Sequence, residues 1–263
     1  MNDFILFTIE QWKVFILVLL RVSGLLFLMP FLGARTIPRQ VQVAFALIIS
    51  ILLFPVLPQK IFQIPDTLGG YFVGAFMEFS LGVLMGAALF VYFTAFQMAG
   101  YLIGTSIGFA LANVIDPLTQ QQSSIFGQLF FLFATLIFLM VDGHHIMIRS
   151  LAQTFDLIPL GAMVFRKSVV DMFSAHFFGT IFIVGLRISA PVLVALLLAS
   201  IAMGFMARTV PEMNIFIIGF ALRIFVGFFL VIYLVPHLAR IMGTLTEQMD
   251  RDLSTLLRLL SPT

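Results

Sequence analysis

The feature that most constrains this chain is an unbroken apolar run near its middle, residues 79–115, which contains no Asp, Glu, Lys or Arg. A helix crosses a bilayer with about 20 apolar residues, so the run could hold one spanning helix and a shorter hairpin or re-entrant piece. Asp116-Pro117 is expected to end it, because proline lacks an amide donor and disfavours α geometry in the residue before it. The polar loop 116–124 leads directly into a second apolar run, 125–141, and such a loop must reach water or line a cavity.

Glycines recur at helical spacing inside the central run. Gly82 and Gly86 form one series, and Gly100, Gly104 and Gly108 form another. Small residues four positions apart lie on one side of a helix and let a second backbone come close, which is how helices associate in lipid. Membrane helices are rich in glycine in any case. Two series in one segment nevertheless favour a helix-packing face that contacts protein, as an assembly surface, rather than lipid.

The composition places the chain among integral membrane proteins. Hydrophobic residues make up 61% of it and charged residues 10%, against about 25% charged residues in a soluble domain. The fold class predicted is an all-α membrane protein, and a soluble enzyme does not fit. The absence of cysteine excludes disulfides, thiol catalysis and thiolate metal sites. The net charge of +2 is too small and too scattered for a nucleic-acid surface.

Taken in order, the sequence predicts helices separated by proline and by charged turns. Its start carries Asp3 and Glu10 and no basic segment, which does not fit a cleaved signal peptide. The most polar interior stretch is 148–171, which contains a turn signal at 159–161, and we expect the chain to divide into two halves at its end. The predicted helices cover residues 12–29, 40–57, a long central segment from 68, 125–141, 176–206, 213–235 and 238–260.

Two further predictions concern the C-terminal part of the chain. Pro191 removes a helical hydrogen bond, which indicates a bend or break near 189–191. From Leu238 onward, apolar residues follow three-four spacing and charged residues lie elsewhere, which predicts an amphipathic helix on a membrane surface or on a partner. The apolar stripe consists of Leu238, Ile241, Leu245, Met249, Leu253, Leu256 and Leu260.

Four ionisable residues lie within apolar segments. At a helix centre each would cost roughly 2.5 to 3.5 kcal/mol if it faced lipid, so we interpret them as buried charges that face protein or water. They could form an ion or proton path, or they could pair with other subunits and with backbone carbonyls. Three of them are arginines, which do not deprotonate, so structural pairing is favoured. The four are Arg21, Glu78, Arg187 and Arg223.

No pattern in the sequence indicates catalysis. There is no HExxH or GxSxG motif, no pair of aspartates inside a spanning segment, and no Lys-Ser/Thr pair after the glycines. His144-His145 has no third ligand at helical spacing, and adjacent helical residues point about 100° apart, so a polar loop pair is the simpler interpretation. We therefore expect no enzyme activity and no bound metal or cofactor.

The turn sequences together match one known family. The motifs are Pro30-Phe31-Leu32-Gly33, Ile37-Pro38, Asp116-Pro117, Gly143-His144-His145, Ile158-Pro159-Leu160-Gly161, Ala207-Arg208-Thr209-Val210-Pro211-Glu212-Met213-Asn214-Ile215-Phe216 and Gly219-Phe220. In this order they resemble the FliR family, components of the bacterial flagellar type III export gate that are related to the SctT proteins of virulence secretion. The resemblance covers nearly the whole chain, although Glu212 stands where a glutamine is common in that family.

The resemblance implies a non-enzymatic core subunit of the export gate, built from bent helical hairpins. Residues 1–170 would be FliP-like, and residues 171–263 would be a FliQ-like helix pair that ends in the amphipathic helix. The implied partners are FliP and FliQ subunits in a hetero-oligomeric helical ring, FlhB-type and FlhA-type export components, unfolded secreted proteins and the lipid membrane, with no nucleic acid. The implied location is the bacterial inner membrane, at the flagellar basal body.

The resemblance also implies that the loop near 113–124 contributes to a plug in the closed channel. The alternatives are an export-gate subunit of a virulence type III system and a small-solute secondary transporter. Transporters also have broken helices and midplane charges, but no pair of similar halves is present here. The plug residues would be Asn113, Asp116, Pro117, Gln120, Gln121, Gln122 and Ser123.

Overall fold

The structure, a computed structural model, describes residues 2–30, 37–56, 67–109, 124–209 and 214–262. The regular elements of these residues are helical. In chain order they are α1 (Asn2–Leu28), α2 (Arg39–Leu53), α3 (Leu68–Ile107), α4 (Ile125–Met140), α5 (Gly143–Leu157), α6 (Lys167–Asp171), α7 (Phe178–Thr209) and α8 (Ile215–Leu260). A 3-10 turn, Phe54–Val56, follows α2, and a π-helical turn, Met172–Phe177, joins α6 to α7.

Several of these helices are long enough to cross a membrane. Among the described residues, four helices are sufficiently long and apolar, and α4 with α5 would make a fifth if the bent pair counts as one span. The four are Glu10–Leu28, Leu68–Ile107, Lys167–Thr209 and Ile217–Leu260. The predicted class, an all-α membrane protein, is therefore confirmed.

Among the described residues, the central apolar run lies in one helix, α3; residues 110–115 of the run lie outside that part of the chain, so the hairpin or re-entrant piece stays a prediction. α3 has 40 residues, and at 1.5 Å per residue it is about 60 Å long, about twice the hydrocarbon thickness of a bilayer. It ends at Ile107, and the stop predicted at Asp116-Pro117 lies outside the described residues. Gly108 takes a φ of +114°, and the amides of Gly108 and Phe109 donate to the carbonyl of Gly104 at 3.3 and 3.1 Å. A left-handed glycine just after the last helical residue is a common helix stop.

The chain forms two compact units that alternate along the sequence. The halves predicted to meet near residue 171 do not correspond to these units, since each unit combines segments from both sides of that point. The FliP-like and FliQ-like parts, 1–170 and 171–263, concern sequence relationship and stay a prediction. Unit 1 comprises Met1–Val91, Asp142–Phe177 and Thr246–Thr263, and unit 2 comprises Tyr92–Val141 and Phe178–Leu245.

The apolar stripe of the C-terminal segment is packed inside the chain, so its predicted place on a membrane surface or partner is wrong. An amphipathic helix buries its apolar face against available apolar surface, and here the chain itself supplies that surface. α8 continues through Pro236 as one helix of 46 residues. Its end is held in unit 1, where the Val164 amide donates to the Leu260 carbonyl and the Ser261 hydroxyl to the Leu157 carbonyl, both at 3.1 Å. The buried apolar side chains are Leu238, Met242, Leu245, Met249, Leu253, Leu256, Leu257 and Leu260, with Ile241 half-buried.

Of the bend or break predicted near residues 189–191, the break is not formed and the bend stays a prediction. Pro191 lies inside α7, which is helical from Phe178 to Thr209. A proline removes one backbone hydrogen bond, but buried side chains on both sides hold the helix in place here. Ile188 and Val192 are almost fully buried, so packing outweighs the single missing bond.

Candidate functional site: buried charges and close helix contacts

Arg21 and Glu78 form a buried ion pair in unit 1. Arg21 lies on α1 and Glu78 on α3, and Arg21 Nε donates to Glu78 Oε2 at 2.5 Å. The two side chains are 0% and 1% exposed. Removing two charges from water costs several kcal/mol per ion, and their attraction offsets this cost only if further hydrogen bonds satisfy the remaining donors and acceptors.

The other donors of Arg21 are satisfied by α5 and by the residue that follows it. Arg21 Nη1 donates to Thr154 Oγ1 at 3.0 Å, and Nη2 donates to the carbonyl oxygen of Ile158 at 3.1 Å. The guanidinium carbon also lies 4.3 Å from the centre of the Phe155 ring, which is a cation–π contact. All three nitrogens of this guanidinium therefore have a partner.

Glu78 extends the same cluster to the turn after α5. Its Oε1 accepts a hydrogen bond from the Gly161 amide at 2.8 Å. Gly161 has a φ of +78°, a left-handed conformation that glycine adopts without strain. The cluster thus joins α1, α3, α5 and this turn, and its geometry supports structural pairing over a proton path. We call it the Arg21 centre, which consists of Arg21, Glu78, Thr154, Phe155, Ile158 and Gly161.

Beside the Arg21 centre, the backbones of α1 and α3 touch. A Cβ atom at Gly82 would overlap the carbonyl oxygen of Arg21 and lie 2.7 Å from the amide nitrogen of Leu25. A Cβ atom at Gly24 would overlap the carbonyl oxygen of Phe79. Glycine is therefore the residue that fits at both positions, and the first glycine series packs inside this chain.

The second glycine series faces the start of α4. A Cβ atom at Gly100 would overlap the carbonyl oxygen of Phe126, and one at Gly104 would lie 3.1 Å from Ser124 Oγ. The interpretation of Gly100 and Gly104 as an assembly surface is therefore corrected, because the protein that they contact is the next helix of the same chain. A Cβ atom at Gly108 would lie 2.9 Å from the ring of Phe220 on α8.

The two glycines that face α4 should respond differently to alanine. The methyl group of Gly100→Ala would overlap the backbone of Phe126, and backbone atoms cannot move aside as a side chain can. We therefore expect a large loss of folded chain. Gly104→Ala meets the side chains of Ser124 and Phe126 at 3.1 to 3.3 Å, which can shift, so its effect should be small. Gly179→Ala, with nothing within 4 Å, is the control. The measurement is the monodisperse fraction after detergent extraction, and equal recovery of all three variants would contradict this packing.

The predicted plug residues lie outside the described residues, but both ends of their segment, 110–123, lie close together. The Phe109 and Phe126 rings are 5.3 Å apart between centroids, and both contact the Phe228 ring, at 6.3 and 5.5 Å. Ser124 begins α4, where its hydroxyl accepts from a backbone amide at 3.2 Å. The chain therefore leaves α3 and enters α4 at one place. The residues concerned are Asn113, Asp116, Pro117, Gln120, Gln121, Gln122 and Ser123.

Arg187 and Arg223 are not buried within this chain. Both are exposed, on α7 and α8 of unit 2, and neither forms a hydrogen bond or an ion pair with the described residues. The grouping of four buried charges is thus corrected, because only Arg21 and Glu78 are buried in the chain itself. Position along an apolar helix fixes depth but not the face on which a side chain lies. Burial of the two exposed arginines against other subunits stays a prediction.

Asp142, His144 and His145 come together at the start of α5, which the sequence interpretation missed. Asp142 takes a left-handed φ of 57°, and its Oδ1 lies 3.3 Å from His145 Nδ1. One possible ligand atom from each of the three lies within 4.8 Å of the others. The Asp142-Gly143 dipeptide, a common turn signal, could have indicated this. The positive end of the α5 dipole opposes a cation at this place, and the contact between Asp142 and His145 accounts for both of those side chains without an ion.

The fold and these contacts define an all-helical membrane protein that is held together by a buried charge pair and by close glycine contacts. Comparison with known families identifies it further. The family model for "Bacterial export proteins, family 1" matches residues 12–249, and the chain belongs to this family. It is a family of export proteins and not of enzymes.

Individual relatives agree with this family. Flagellar biosynthetic protein FliR of Bacillus subtilis (strain 168) is 32% identical over 229 residues, which cover 85% of this chain and 86% of the relative. The FliR protein of Escherichia coli (strain K12) is 28% identical over 236 residues, 88% of this chain and 89% of the relative. That of Aquifex aeolicus (strain VF5) is 30% identical over 219 residues, 82% and 83% of the two chains. The resemblance to the FliR family is confirmed.

Proposed function

We propose that this chain is a core subunit of the flagellar type III export gate and forms, with FliP and FliQ subunits, the channel through which unfolded flagellar proteins cross the bacterial inner membrane. The family match over residues 12–249 carries the proposal. The relatives, which are flagellar biosynthetic proteins, favour the flagellar branch over the virulence branch. The role requires shape, contacts and a seal, and it requires no catalytic group.

The exposed faces of α7 and α8 support a place in a larger assembly. Large apolar side chains along both helices are exposed in the single chain, so they are available to lipid or to other subunits. Because this surface also carries an exposed arginine inside the apolar part of α8, Arg223, contact with other subunits is favoured over lipid. The exposed side chains are Phe182, Ile183, Leu186, Val194, Leu197 and Leu198 on α7, and Phe225, Phe228, Phe229, Ile232 and Tyr233 on α8.

In this proposal the segment 110–123 is the plug of the resting channel. Its two ends lie together at Phe109 and Phe126, so the segment can fill or leave a lumen without displacing α3 or α4. Its amide and hydroxyl side chains offer polar contacts that an arriving unfolded chain can replace. Irregular backbone at membrane depth is tolerated where it lines a water-filled cavity, which a channel provides.

Deleting residues 118–123 is expected to open the resting channel and leave the assembly intact, because the helices that contact other subunits lie outside the deleted segment. The measurement is ion or small-solute leakage across the inner membrane of cells that express the variant, with gate assembly checked in parallel. Replacement of the same six residues by Gly-Ser repeats is the control for filled volume, and it should leak less than the deletion. A deleted gate that assembles and stays as tight as the parent would show that the loop is a connector.

The proposed function itself is tested by genetic replacement. This chain should restore motility and secretion of flagellar proteins to a flagellated bacterium that lacks its own FliR, and it should copurify with FliP and FliQ. Copurification of the FlhB-type and FlhA-type components would show that they belong to the same assembly. Secretion of virulence substrates without flagellar ones would move the chain to the virulence branch, and failure to copurify with FliP and FliQ would reject the proposal.

A further inference from the structure

We propose that Arg223 is a docking charge at the middle of the membrane, and that its partner is a spanning helix of another subunit with an Asp or Glu side chain at the same depth. This inference rests on the proposed function, which supplies other subunits but does not specify this contact. Three observations carry it: the depth of Arg223, the distribution of acidic residues in unit 2, and the surroundings of Arg21.

The apolar part of α7 gives a scale of depth. Residues 188–207 contain no charged side chain, and they are bounded by Arg187 on one side and Arg208 on the other. Their number, 20, is what one membrane crossing requires. Arg187 and Arg208 therefore mark the two ends of a span, where long cationic side chains reach the interface.

The contact between α7 and α8 transfers this scale to Arg223. A Cβ atom at Gly219 on α8 would lie 3.5 Å from Met203 Cε on α7, so Gly219 lies near the level of Met203. Met203 lies five residues from Arg208, toward the middle of the span. α8 runs back from the Arg208 end of the span, and Arg223 lies four residues further along it than Gly219. At 1.5 Å per residue these steps add to about 13 Å, which is close to the middle of a hydrocarbon core about 30 Å thick.

Unit 2 does not supply a counter-charge for Arg223 among its described residues. Those residues contain no Asp or Glu, and the acidic residues that the sequence has in this part of the chain, Asp116 and Glu212, lie outside them. The arginines of unit 2 are Arg187, Arg208, Arg223 and Arg240. The exposed face of unit 2 thus carries arginines among apolar side chains. A partner surface that complements it is apolar and carries a carboxylate.

The Arg21 centre shows what this protein provides when it buries an arginine. Arg21 has a carboxylate, a hydroxyl and a backbone carbonyl within 3.1 Å. Arg223 has none of these from the described residues, yet it lies at a depth where lipid would leave it unsolvated. A planar guanidinium donates to both oxygens of a carboxylate, so an acidic side chain is the partner that its chemistry fits. The exposed ring of Phe220, three residues before Arg223 and on the same side of α8, offers apolar contact to the same partner helix.

The first arm of the test measures copurification of Arg223 variants with FliP and FliQ. Arg223→Leu and Arg223→Glu should each reduce the assembled gate at least tenfold, and Arg223→Lys should reduce it less because the charge remains. An Asp or Glu in a spanning helix of FliP or FliQ that is changed to Arg should restore assembly with Arg223→Glu. Arg240→Leu, which removes an exposed arginine beyond the span, is the control and should assemble as the parent does. Parent-like assembly of both Arg223→Leu and Arg223→Glu overturns the proposal.

The second arm distinguishes a docked face from a face that lines water, and it uses the absence of cysteine in the chain. Phe220→Cys and Val226→Cys place single thiols three residues before and after an intact Arg223, on the same side of α8. In the assembled gate both should be protected from a membrane-impermeant maleimide and should react after denaturation. Rapid labelling in the assembled gate would show an aqueous lumen and overturn the proposal.

Two results distinguish failure of the docking proposal from failure of the proposed function. Rescue of Arg223→Glu by Asp116→Arg or Glu212→Arg would place the counter-charge in this chain and overturn the docking proposal alone. If the parent chain does not assemble with FliP and FliQ, the proposed function fails, and the docking proposal fails with it.

Discussion

Glu78→Ala is expected to destabilise the chain by about 3–5 kcal/mol, because it leaves the buried guanidinium of Arg21 without its carboxylate. Total stabilities of about 5–15 kcal/mol are typical, so this single change should remove a large part of the margin. The Gly161 amide would lose its acceptor at the same time. The measurement is the free energy of unfolding in detergent, or the yield of monodisperse protein where unfolding is not reversible.

Two variants make this expectation specific to the pair. Arg21→Met combined with Glu78→Leu removes both charges and should recover much of the lost stability, since apolar replacement of a whole buried pair is often neutral or stabilising. Asp142→Asn breaks the contact between Asp142 and His145, whose side chains are 72% and 65% exposed, and it should cost about 0–1 kcal/mol. Equal effects of Glu78→Ala and Asp142→Asn would show that burial of the Arg21 centre contributes nothing.

Most helices could be placed from the sequence because local signals mark their ends. The helix predicted over 125–141 is found as Ile125–Met140, begun by the Ser124 cap, and the helix predicted over 40–57 is found as Arg39–Leu53 followed by a 3-10 turn. Membrane-spanning length and apolar composition required no tertiary information. The stop of α3 at Gly108 was also a local signal, but the downstream proline masked it.

The pairing of charges could not be obtained in the same way. Arg21 and Arg223 look the same in the sequence, since each is a single arginine in an apolar helix. In the structure Arg21 is buried and Arg223 is exposed. The difference arises from residues far along the chain, since Arg21 bonds Glu78 and Thr154 at separations of 57 and 133 positions. A single sequence gives the periodicity of a face but not what that face contacts.

The surroundings of apolar faces were mispredicted for the same reason. The stripe from Leu238 to Leu260 and the Gly100–Gly104 face were both expected to contact something outside the chain, and both are packed within it. The spacing of small or apolar residues is identical whether the other helix comes from the same chain or from another subunit. The surface of α7 and α8 is exposed in the single chain, and Arg223 distinguishes it from a purely lipid-facing surface.

Gly82→Ala is expected to separate α1 from α3, because the added Cβ atom would overlap the backbone carbonyl of Arg21 and lie 3.0 Å from Gly24 Cα. These obstacles are backbone atoms, which no rotamer change can move. We expect a cost at or above the upper end of the about 1–3 kcal/mol typical of overpacking, because the displacement would also move Arg21 away from Glu78.

Gly69→Ala is the matched control for Gly82→Ala, since it lies on the same helix with nothing within 4 Å of the added atom. In a helix, alanine is favoured over glycine by about 1 kcal/mol, so Gly69→Ala should be neutral or stabilising. The two alanine variants therefore differ in the sign of their effect although the chemical change is the same.

Combining Gly82→Ala with Glu78→Ala extends the test. If the Gly82 effect acts partly through the Arg21 centre, the double variant should lose less stability than the sum of the single losses, as contacting residues do. Strict additivity would mean that the helix contact and the ion pair stabilise unit 1 independently.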